Sequence, residues 1–413
     1  MFSFFEKLIK PFPSQEPDQP PKGVFAFCRH YSRGIEVPLL LMAVLTATLA
    51  MLEVSLFSFM GELVEWLATK DRETFWAEEQ DTLITMGVIV LIVLPSLVLL
   101  HATIVHQTLL SNYPMVIRWL AHRYLLKQSL GFYQDEFAGR IATKVMQTSL
   151  AVRETVMKLL DVMVYVVVYF FSMLFIIAQA DVRLMLPLLI WLVLYIAIQY
   201  YFVPRLKSVS TVQADARSTM TGRIVDSYSN IATVKLFSHT QREADYAQQG
   251  MNGFLSTVYQ QMRLATGLNV SIQGLNYLLL FVIASLSIFL WQESAIGIGS
   301  ITIAITLALR LNGMAQWIMW EVSALFENIG TVVDGMKTLS QPLQVTDKAD
   351  APPLNVEQGN IEFCNMNFSY AMANKEGEIK QQRIINDLNL NIKAGEKVGL
   401  VGRSGAGKST LVN

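Results

Sequence analysis

The residues with the clearest chemistry lie near the C-terminal end of the sequence, where glycines, a lysine and hydroxyl side chains follow one another. They form the run Gly402-Arg403-Ser404-Gly405-Ala406-Gly407-Lys408-Ser409-Thr410, which satisfies the phosphate-binding pattern G-x-x-x-x-G-K-[ST] in full. Glycines let such a loop curl so that several backbone N–H groups surround the phosphates. The lysine reaches the β- and γ-phosphates, and the hydroxyl ligates Mg²⁺. The run therefore predicts binding of a nucleoside triphosphate, with Lys408 on the phosphates and Ser409 on Mg²⁺.

The flanks of this loop agree with a phosphate site, which normally lies between a strand and a helix. The apolar run Lys397-Val398-Gly399-Leu400-Val401 predicts a buried strand, and residues 408–412 predict the first turn of a helix. That helix would add the positive end of its dipole to the site. A chance glycine-rich turn is the alternative, but it gives no structural reason for Lys408.

Further strands are predicted upstream of the loop. Residues 360–370 alternate apolar and polar side chains, residues 384–392 give a second strand, and residues 374–382 form a polar surface loop between them. Prolines and aspartates in residues 341–358 indicate a linker that precedes these strands. This part of the chain predicts the opening of an α/β domain.

Composition indicates that the rest of the chain is a membrane protein. Of the 413 residues, 53% are hydrophobic and 16% are charged, whereas about 25% are charged in an ordinary soluble domain. The net charge of −1 leaves no basic excess to neutralise phosphates, so nucleic acid is not an expected partner. The two cysteines, Cys28 and Cys364, lie far apart and are interpreted as free thiols.

Six segments are long and apolar enough to cross a bilayer, which takes about 20 residues. They cover residues 38–60, 86–104, 159–178, 184–203, 270–290 and 298–318. The connections after the second and fourth segments are long and rich in helix-forming residues, so the spans are expected to continue as helices beyond the bilayer on one side.

Basic residues orient the predicted spans. They concentrate before the first span and in the two long connections, whereas the other three loops hold only Lys70, Arg72 and Arg183. The positive-inside rule then places the N-terminus and the helical extensions in the cytoplasm. The sequence thus predicts an α-helical membrane domain of six transmembrane helices with long cytoplasmic extensions, followed by the N-terminal fragment of an α/β P-loop nucleotide-binding domain.

This order of elements resembles the ABC exporter family in its six-span half-transporter form, over essentially the whole chain. Residues 402–410 look like the family's Walker A motif, and Asn367-Phe368-Ser369-Tyr370 looks like its A-loop. Residues 132–141 and 226–235 resemble its two coupling-helix regions. The expected divisions are residues 1–34 as a cytoplasmic segment, 35–340 as the transmembrane domain, 341–358 as the linker and 359–413 as a partial ATP-binding domain.

The resemblance implies an ATPase that exports or flips a drug, lipid or peptide across a bacterial cytoplasmic membrane by alternating access. It implies ATP and Mg as ligands, Tyr370 stacked on adenine, and a homodimer or a pair with a related half-transporter in contact with membrane lipid. The family's Q-loop, signature motif, Walker B acid and switch histidine have no counterpart in these 413 residues. No catalytic residue is therefore assigned.

Two other functions are open at this point. The chain could be a natural truncated product that acts as a membrane-embedded binding or dimerisation subunit without ATPase activity, and a stop codon after Asn413 would favour that reading. It could also be an ion-coupled carrier, which would leave the P-loop unexplained.

Several polar residues within the spans have two interpretations each. Arg310 in the sixth span either lines a translocation pathway or pairs with Glu53 of the first span. His101 and His106, at the end of the second span, are each expected to be hydrogen-bonded or to snorkel toward the interface, with a proton-coupled role as the alternative. Four amides either line the same pathway or join helices to one another, and the second is favoured: Gln273, Asn276, Asn312 and Gln316.

Overall fold

The computed structural model describes residues 2–135, 138–346, 351–356, 358–373 and 379–412. The chain forms two compact units, Met1–Val345 and Thr346–Asn413.

Helices make up the first unit. Six of them are long and apolar enough to cross a membrane: α3 (Glu36–Thr69), α4 (Phe75–Leu125), α6 (Gly139–Ala180), α7 (Val182–Ser229), α9 (Thr240–Gln292) and α10 (Ile298–Leu339). Shorter helices lie between or before them: α1 (Phe2–Glu6), α2 (Val24–Tyr31), α5 (Leu130–Asp135) and α8 (Ile231–Leu236). The prediction of six spans is confirmed, and these helices form a membrane domain.

The predicted helical extensions are also present. Helix α9 has 53 residues and α4 has 51, so each is longer than about 75 Å at 1.5 Å per residue, against about 30 Å for the hydrocarbon core of a bilayer. All the long extensions lie toward the end of the bundle where α10 finishes at Leu339, which we call the linker end. The short connections α3–α4, α6–α7 and α9–α10 lie at the opposite end, which we call the loop end.

Amide side chains join three helices of the membrane domain, from its core to its surface. The Trp191 indole donates to Asn276 Oδ1 at 2.9 Å, and Asn276 Nδ2 donates to Asn312 Oδ1 at 2.9 Å. A third amide contact links Gln316 Nε2 to Asn269 Oδ1 at 3.4 Å. These bonds connect α7, α9 and α10, which confirms the favoured interpretation for Asn276, Asn312 and Gln316.

Two glycines bring α3 and α10 into direct backbone contact near the loop end. A Cβ on Gly299 would overlap the carbonyl oxygen of Gly61, so neither residue leaves room for a side chain. The Glu65 carboxylate accepts a hydrogen bond at 2.7 Å from the backbone N–H of Gly299, in the first turn of α10. The helices are therefore held together at one point by packing and by a cap.

Replacing Gly299 by alanine is expected to lower the free energy of unfolding by about 1–3 kcal/mol, because the methyl group overpacks this contact. The thermal unfolding midpoint of the full-length protein in detergent measures the effect. Gly87 of α4 provides the matched control, since a Cβ there meets nothing within 4 Å. If Gly299→Ala unfolds at the same temperature as Gly87→Ala, the contact does not constrain the two helices.

Prolines reshape α4. Pro95 and Pro114 carry no N–H, so the carbonyls four residues earlier lose their helical partners. A π-helical segment precedes each proline, at Ile89–Val93 and Ile104–Leu110. The Arg153 guanidinium of α6 donates to the carbonyl of Leu110 at 3.2 Å and replaces the missing donor. A third π-helical segment, Lys158–Val162, lies in α6.

The N-terminal segment is fixed along α4. Thr108 Oγ1 donates to the carbonyl of Phe5 at 2.8 Å, and Arg123 donates to that of Gln15 at 2.7 Å. Farther along, Gln19 Nε2 donates to the carbonyl of Ser340 at 3.2 Å, just after α10 ends.

Both cysteines are free thiols, as predicted. Cys364 is exposed, whereas Cys28 is buried, and burial raises the pKa of the Cys28 thiol to about 11.

The second unit contains two antiparallel strands, β1 (Ile361–Ala373) and β2 (Ile379–Ile392), and a helix start, α11 (Lys408–Val412). Both strands and the helix were predicted. Two expectations are wrong. Residues 379–382 belong to β2 rather than to a surface loop, while 374–378 lie outside the described residues. Residues 397–401 form no strand, because a strand needs a hydrogen-bonded neighbour and, among the described residues, the sheet consists of β1 and β2.

Candidate nucleotide and membrane-cavity sites

The predicted phosphate loop lies between the end of β2 and α11. Gly405 and Gly407 have φ angles of 85° and 82°, a left-handed conformation that glycine adopts without strain. A Cβ at Gly407 would also lie 2.9 Å from Ile384 Cγ2 of β2, so the loop passes close to the strand. The left-handed backbone conformation therefore explains why glycine occupies both positions.

Lys408 is folded back over this loop. Its Nζ donates to the carbonyls of Gly402 and Arg403 at 2.8 and 2.9 Å. An ammonium group has three donors, so one remains for an anion after these two bonds. The side chain of Ser409 is exposed at the same turn. A lysine held against a loop with left-handed glycines at a helix start fits a triphosphate with its Mg²⁺ ion.

Tyr370 pairs with Gln382 in the ladder of β1 and β2. Its side chain lies outside the described residues, so stacking on adenine stays a prediction. The other loop members predicted to bind nucleotide, Arg403, Ser404, Ala406 and Thr410, all lie in the turn or in α11.

A cavity of about 660 Å³ lies within the membrane domain, among α3, α4, α6 and α10. Apolar side chains form most of its wall: Leu49, Leu56, Leu94, Val98, Val162, Met314 and Trp317. Its polar lining consists of two clusters, one around Arg310 and one around His101. None of the four amides considered in the sequence is among its lining residues.

The Arg310 cluster is an ion pair with a phenol. Arg310 Nη2 lies 2.5 Å from Glu53 Oε1, and the Tyr165 hydroxyl donates to Glu53 Oε2 at 2.6 Å. The Arg310 and Glu53 side chains are 43% and 34% exposed, and both line the cavity. The pairing of Arg310 with Glu53 is therefore confirmed. Arg310 also lines the cavity, and its place in a translocation pathway stays a prediction.

The His101 cluster contains a second acid. His101 Nε2 lies 3.0 Å from Thr46 Oγ1 and 3.2 Å from Asp161 Oδ1, and the Thr46 hydroxyl donates to Asp161. The expectation of a hydrogen-bonded His101 is confirmed. Asp161 lies on the π-helical segment of α6, and such segments are frequent at functional sites.

The functional interest of Asp161 has a signal in the sequence. Asp161 lies two residues inside the third predicted span, and an acid at such a position usually faces protein or a water-filled cavity. Thr46 and Tyr165 give no such signal, because hydroxyl side chains are common in membrane helices.

Comparisons with known proteins agree with this architecture. The family model of the ABC transporter transmembrane region matches residues 39–314, and the ABC transporter model matches residues 385–413. An uncharacterized ABC transporter ATP-binding protein of Haemophilus influenzae is 48% identical over all of this chain and 66% of its own length. A beta-(1→2)glucan export ATP-binding/permease protein of Rhizobium meliloti is 25% identical over 56% of this chain and 38% of its own length.

The fold also matches a solved structure. A bacterial Atm1-family ABC exporter with ATP bound aligns with a TM-score of 0.65 at 16% identity, over 92% of this chain and 65% of that one. The chain thus spans about two thirds of the length of the Haemophilus protein and of the Atm1-family exporter. With the membrane region matched over most of its length, the chain belongs to the ABC transporter family and has the membrane fold of its exporters.

Proposed function

We propose that the full-length protein uses ATP to export or flip an amphipathic substrate across a bacterial cytoplasmic membrane by alternating access. The observation that carries this proposal is the cavity, which combines apolar walls with two polar clusters in the membrane domain. A drug, a lipid or an apolar peptide can fill such a site with its apolar body and place its polar group against the clusters.

The phosphate loop supports an ATP-driven step. In the proposal, residues 402–410 hold the triphosphate, Lys408 contacts its β- and γ-phosphates and Ser409 ligates Mg²⁺. Tyr370 stacks on the adenine. ATP supplies the free energy of hydrolysis when the rest of the nucleotide-binding domain is present. Its tighter binding to one conformation of the transporter is what shifts the conformational equilibrium.

Charge supports the orientation. Arg118, Arg140, Arg205 and Lys337 are among the basic residues of the helix extensions at the linker end, and basic residues concentrate on the cytoplasmic side of membrane proteins. We therefore infer that the N-terminus and the nucleotide-binding domain are cytoplasmic. A homodimer, or a pair with a related half-transporter, would supply the second nucleotide-binding domain that the family's ATP site needs.

Transport into inside-out proteoliposomes tests the proposal. With the full-length protein, ATP is expected to drive accumulation or flipping of at least one member of a panel: a lipophilic dye, a fluorescent phospholipid and an apolar labelled peptide. A non-hydrolysable ATP analogue should not support the movement. Transport that runs on an ion gradient without ATP, or no ATP-dependent movement of any of the three probes, would refute the proposal.

A further inference from the structure

The charges of the side chains that line the cavity sum to zero only when the His101 imidazole is protonated on both ring nitrogens. Four lining residues have side chains that can carry a charge near neutral pH: Glu53, His101, Asp161 and Arg310. Arg310 offsets Glu53, to which it is bonded, whereas Asp161 has His101 as its ion-pair partner. The lining therefore sums to zero with a charged imidazole and to −1 with a neutral one.

Hydrogen-bond directions show which proton changes the charge. The single hydroxyl proton of Thr46 is donated to Asp161, so the Thr46 oxygen accepts from His101 Nε2. Nε2 therefore carries a hydrogen in both charge states. The proton that is gained or lost is the one on Nδ1.

No other cation that lines the cavity, among the residues that the structure describes, takes the place of that proton. Lys158 lies one turn from Asp161 on α6, but it pairs with Glu321 of α10. His106 lies on α4, like His101, but it is exposed and does not line the cavity. The remaining polar neighbours, Thr46 of α3 and Tyr165 of α6, are hydroxyl groups.

The walls suit a ligand that is mostly apolar. Next to Asp161 lie Val162 and Tyr165, and Tyr165 contacts Trp317 edge to face with 5.9 Å between ring centroids. Aromatic rings of this kind attract organic cations through their negatively polarised faces. A volume of about 660 Å³ is within the range of sites for small organic ligands.

We propose that the cavity binds an apolar organic monocation in exchange for the Nδ1 proton of His101. The cation enters beside Asp161 with charge +1, and the proton leaves to solvent with charge +1, so the lining remains neutral. An unbalanced carboxylate in a membrane domain is costly, which makes the two cations alternatives to each other. This inference rests on the proposed function, in which the bound cation is the exported substrate.

Calorimetric titration of the full-length protein in detergent, without ATP, tests the exchange. The probe is tetraphenylphosphonium, and tetraphenylborate is its match in size and shape with the opposite charge. One proton leaves His101 for each cation that binds, so the affinity for tetraphenylphosphonium should rise by up to about tenfold per pH unit while the free protein holds that proton. The affinity should level off at a pH where the free protein no longer holds it.

Proton release is the second readout. At acidic pH, titrations in two buffers of different ionisation enthalpy should show release of about one proton per bound tetraphenylphosphonium. Tetraphenylborate should bind more weakly than tetraphenylphosphonium and should gain no affinity as the pH rises. A wild-type affinity for tetraphenylphosphonium that is constant with pH, or tighter binding of tetraphenylborate, would overturn the inference.

Variants assign the effect to the two residues. His101→Gln should bind tetraphenylphosphonium with an affinity that does not change with pH and without proton release, and Asp161→Asn should lose the preference for the cation over the anion. Asp81→Asn, at an exposed carboxylate of α4, should behave like wild type. An unfolding midpoint in detergent close to that of wild type shows that the membrane domain of each variant is folded. If His101→Gln binds tetraphenylphosphonium with the same pH dependence as wild type, the exchange is contradicted.

The outcome separates this inference from the proposed function. Tetraphenylphosphonium that binds with proton release but is not moved by ATP would leave the exchange intact and count against export. ATP-driven movement of another probe, with no pH-dependent binding of tetraphenylphosphonium, would support export and contradict the exchange.

Discussion

Replacing Lys408 by alanine should reduce ATP hydrolysis by the full-length protein by about 100-fold or more, the usual loss when one preorganised donor is removed from developing charge. The bonds of its Nζ to the carbonyls of Gly402 and Arg403 hold the lysine over the phosphate loop. Replacing it by alanine therefore removes a positive charge that is already positioned at the loop. Phosphate release at saturating ATP and Mg²⁺ measures the effect. Binding of a fluorescent ATP analogue should weaken as well.

Lys393→Ala is the matched control, because Lys393 is exposed in the same unit and uses backbone groups in its bonds to Glu396. Its N–H donates to Glu396 Oε2 at 2.9 Å, and its carbonyl accepts from the Glu396 N–H at 3.0 Å. Its ATPase rate should equal that of wild type. If Lys408→Ala retains the wild-type rate, the loop is not the site of hydrolysis and the assignment of residues 402–410 fails.

Replacing Glu53 by glutamine should lower the free energy of unfolding by about 1–3 kcal/mol. The change leaves the Arg310 guanidinium without its carboxylate inside the membrane domain, and breaking a fully buried pair costs about 3–5 kcal/mol. The smaller figure follows because both side chains are partly exposed to the cavity. Removing both charges, in Glu53→Met/Arg310→Met, should restore most of the loss.

A double-mutant cycle of Glu53→Met, Arg310→Met and the double variant, followed by the unfolding midpoint in detergent, separates the energy of the pair from that of its individual members. Glu293→Gln is the control, since Glu293 pairs with Arg183 at 3.0 Å at an exposed position where such pairs contribute less than about 1 kcal/mol. A Glu53→Gln variant that is no less stable than Glu293→Gln would show that the intramembrane pair does not hold α3 to α10.

The sequence was most informative where one physical requirement dominates. A helix needs about 20 largely apolar residues to cross the hydrocarbon core of a bilayer, so the apolar runs in the sequence were enough to locate α3 and α10. The phosphate loop could be predicted because the left-handed backbone at positions 405 and 407 favours glycine. The pairing of Glu53 with Arg310 was one of two open interpretations, since two charges in lipid need partners but their distance depends on how helices pack.

Features that depend on tertiary packing were harder to predict. Residues 397–401 have the composition of a strand, but strand formation depends on a neighbour along the ladder, and composition does not supply one. The His101 cluster draws on three helices that are far apart in sequence, so no local pattern places Thr46 beside Asp161. The course of residues 7–23 along α4 depends on bonds to carbonyl groups, which every residue has.

The contact between Gly61 and Gly299 has a geometric consequence for the cavity. If α3 and α10 swing apart while these glycines stay in contact, the contact acts as a fulcrum and displacement grows with distance along each helix. Glu53 is eight residues from Gly61 and Thr46 is fifteen, or about 12 and 22 Å at 1.5 Å per residue. A swing of a given angle therefore moves α3 nearly twice as far at Thr46 as at Glu53. Such a swing would open the end of the cavity near His101 and Asp161 more than the end near Arg310, which lies closer to the glycine contact.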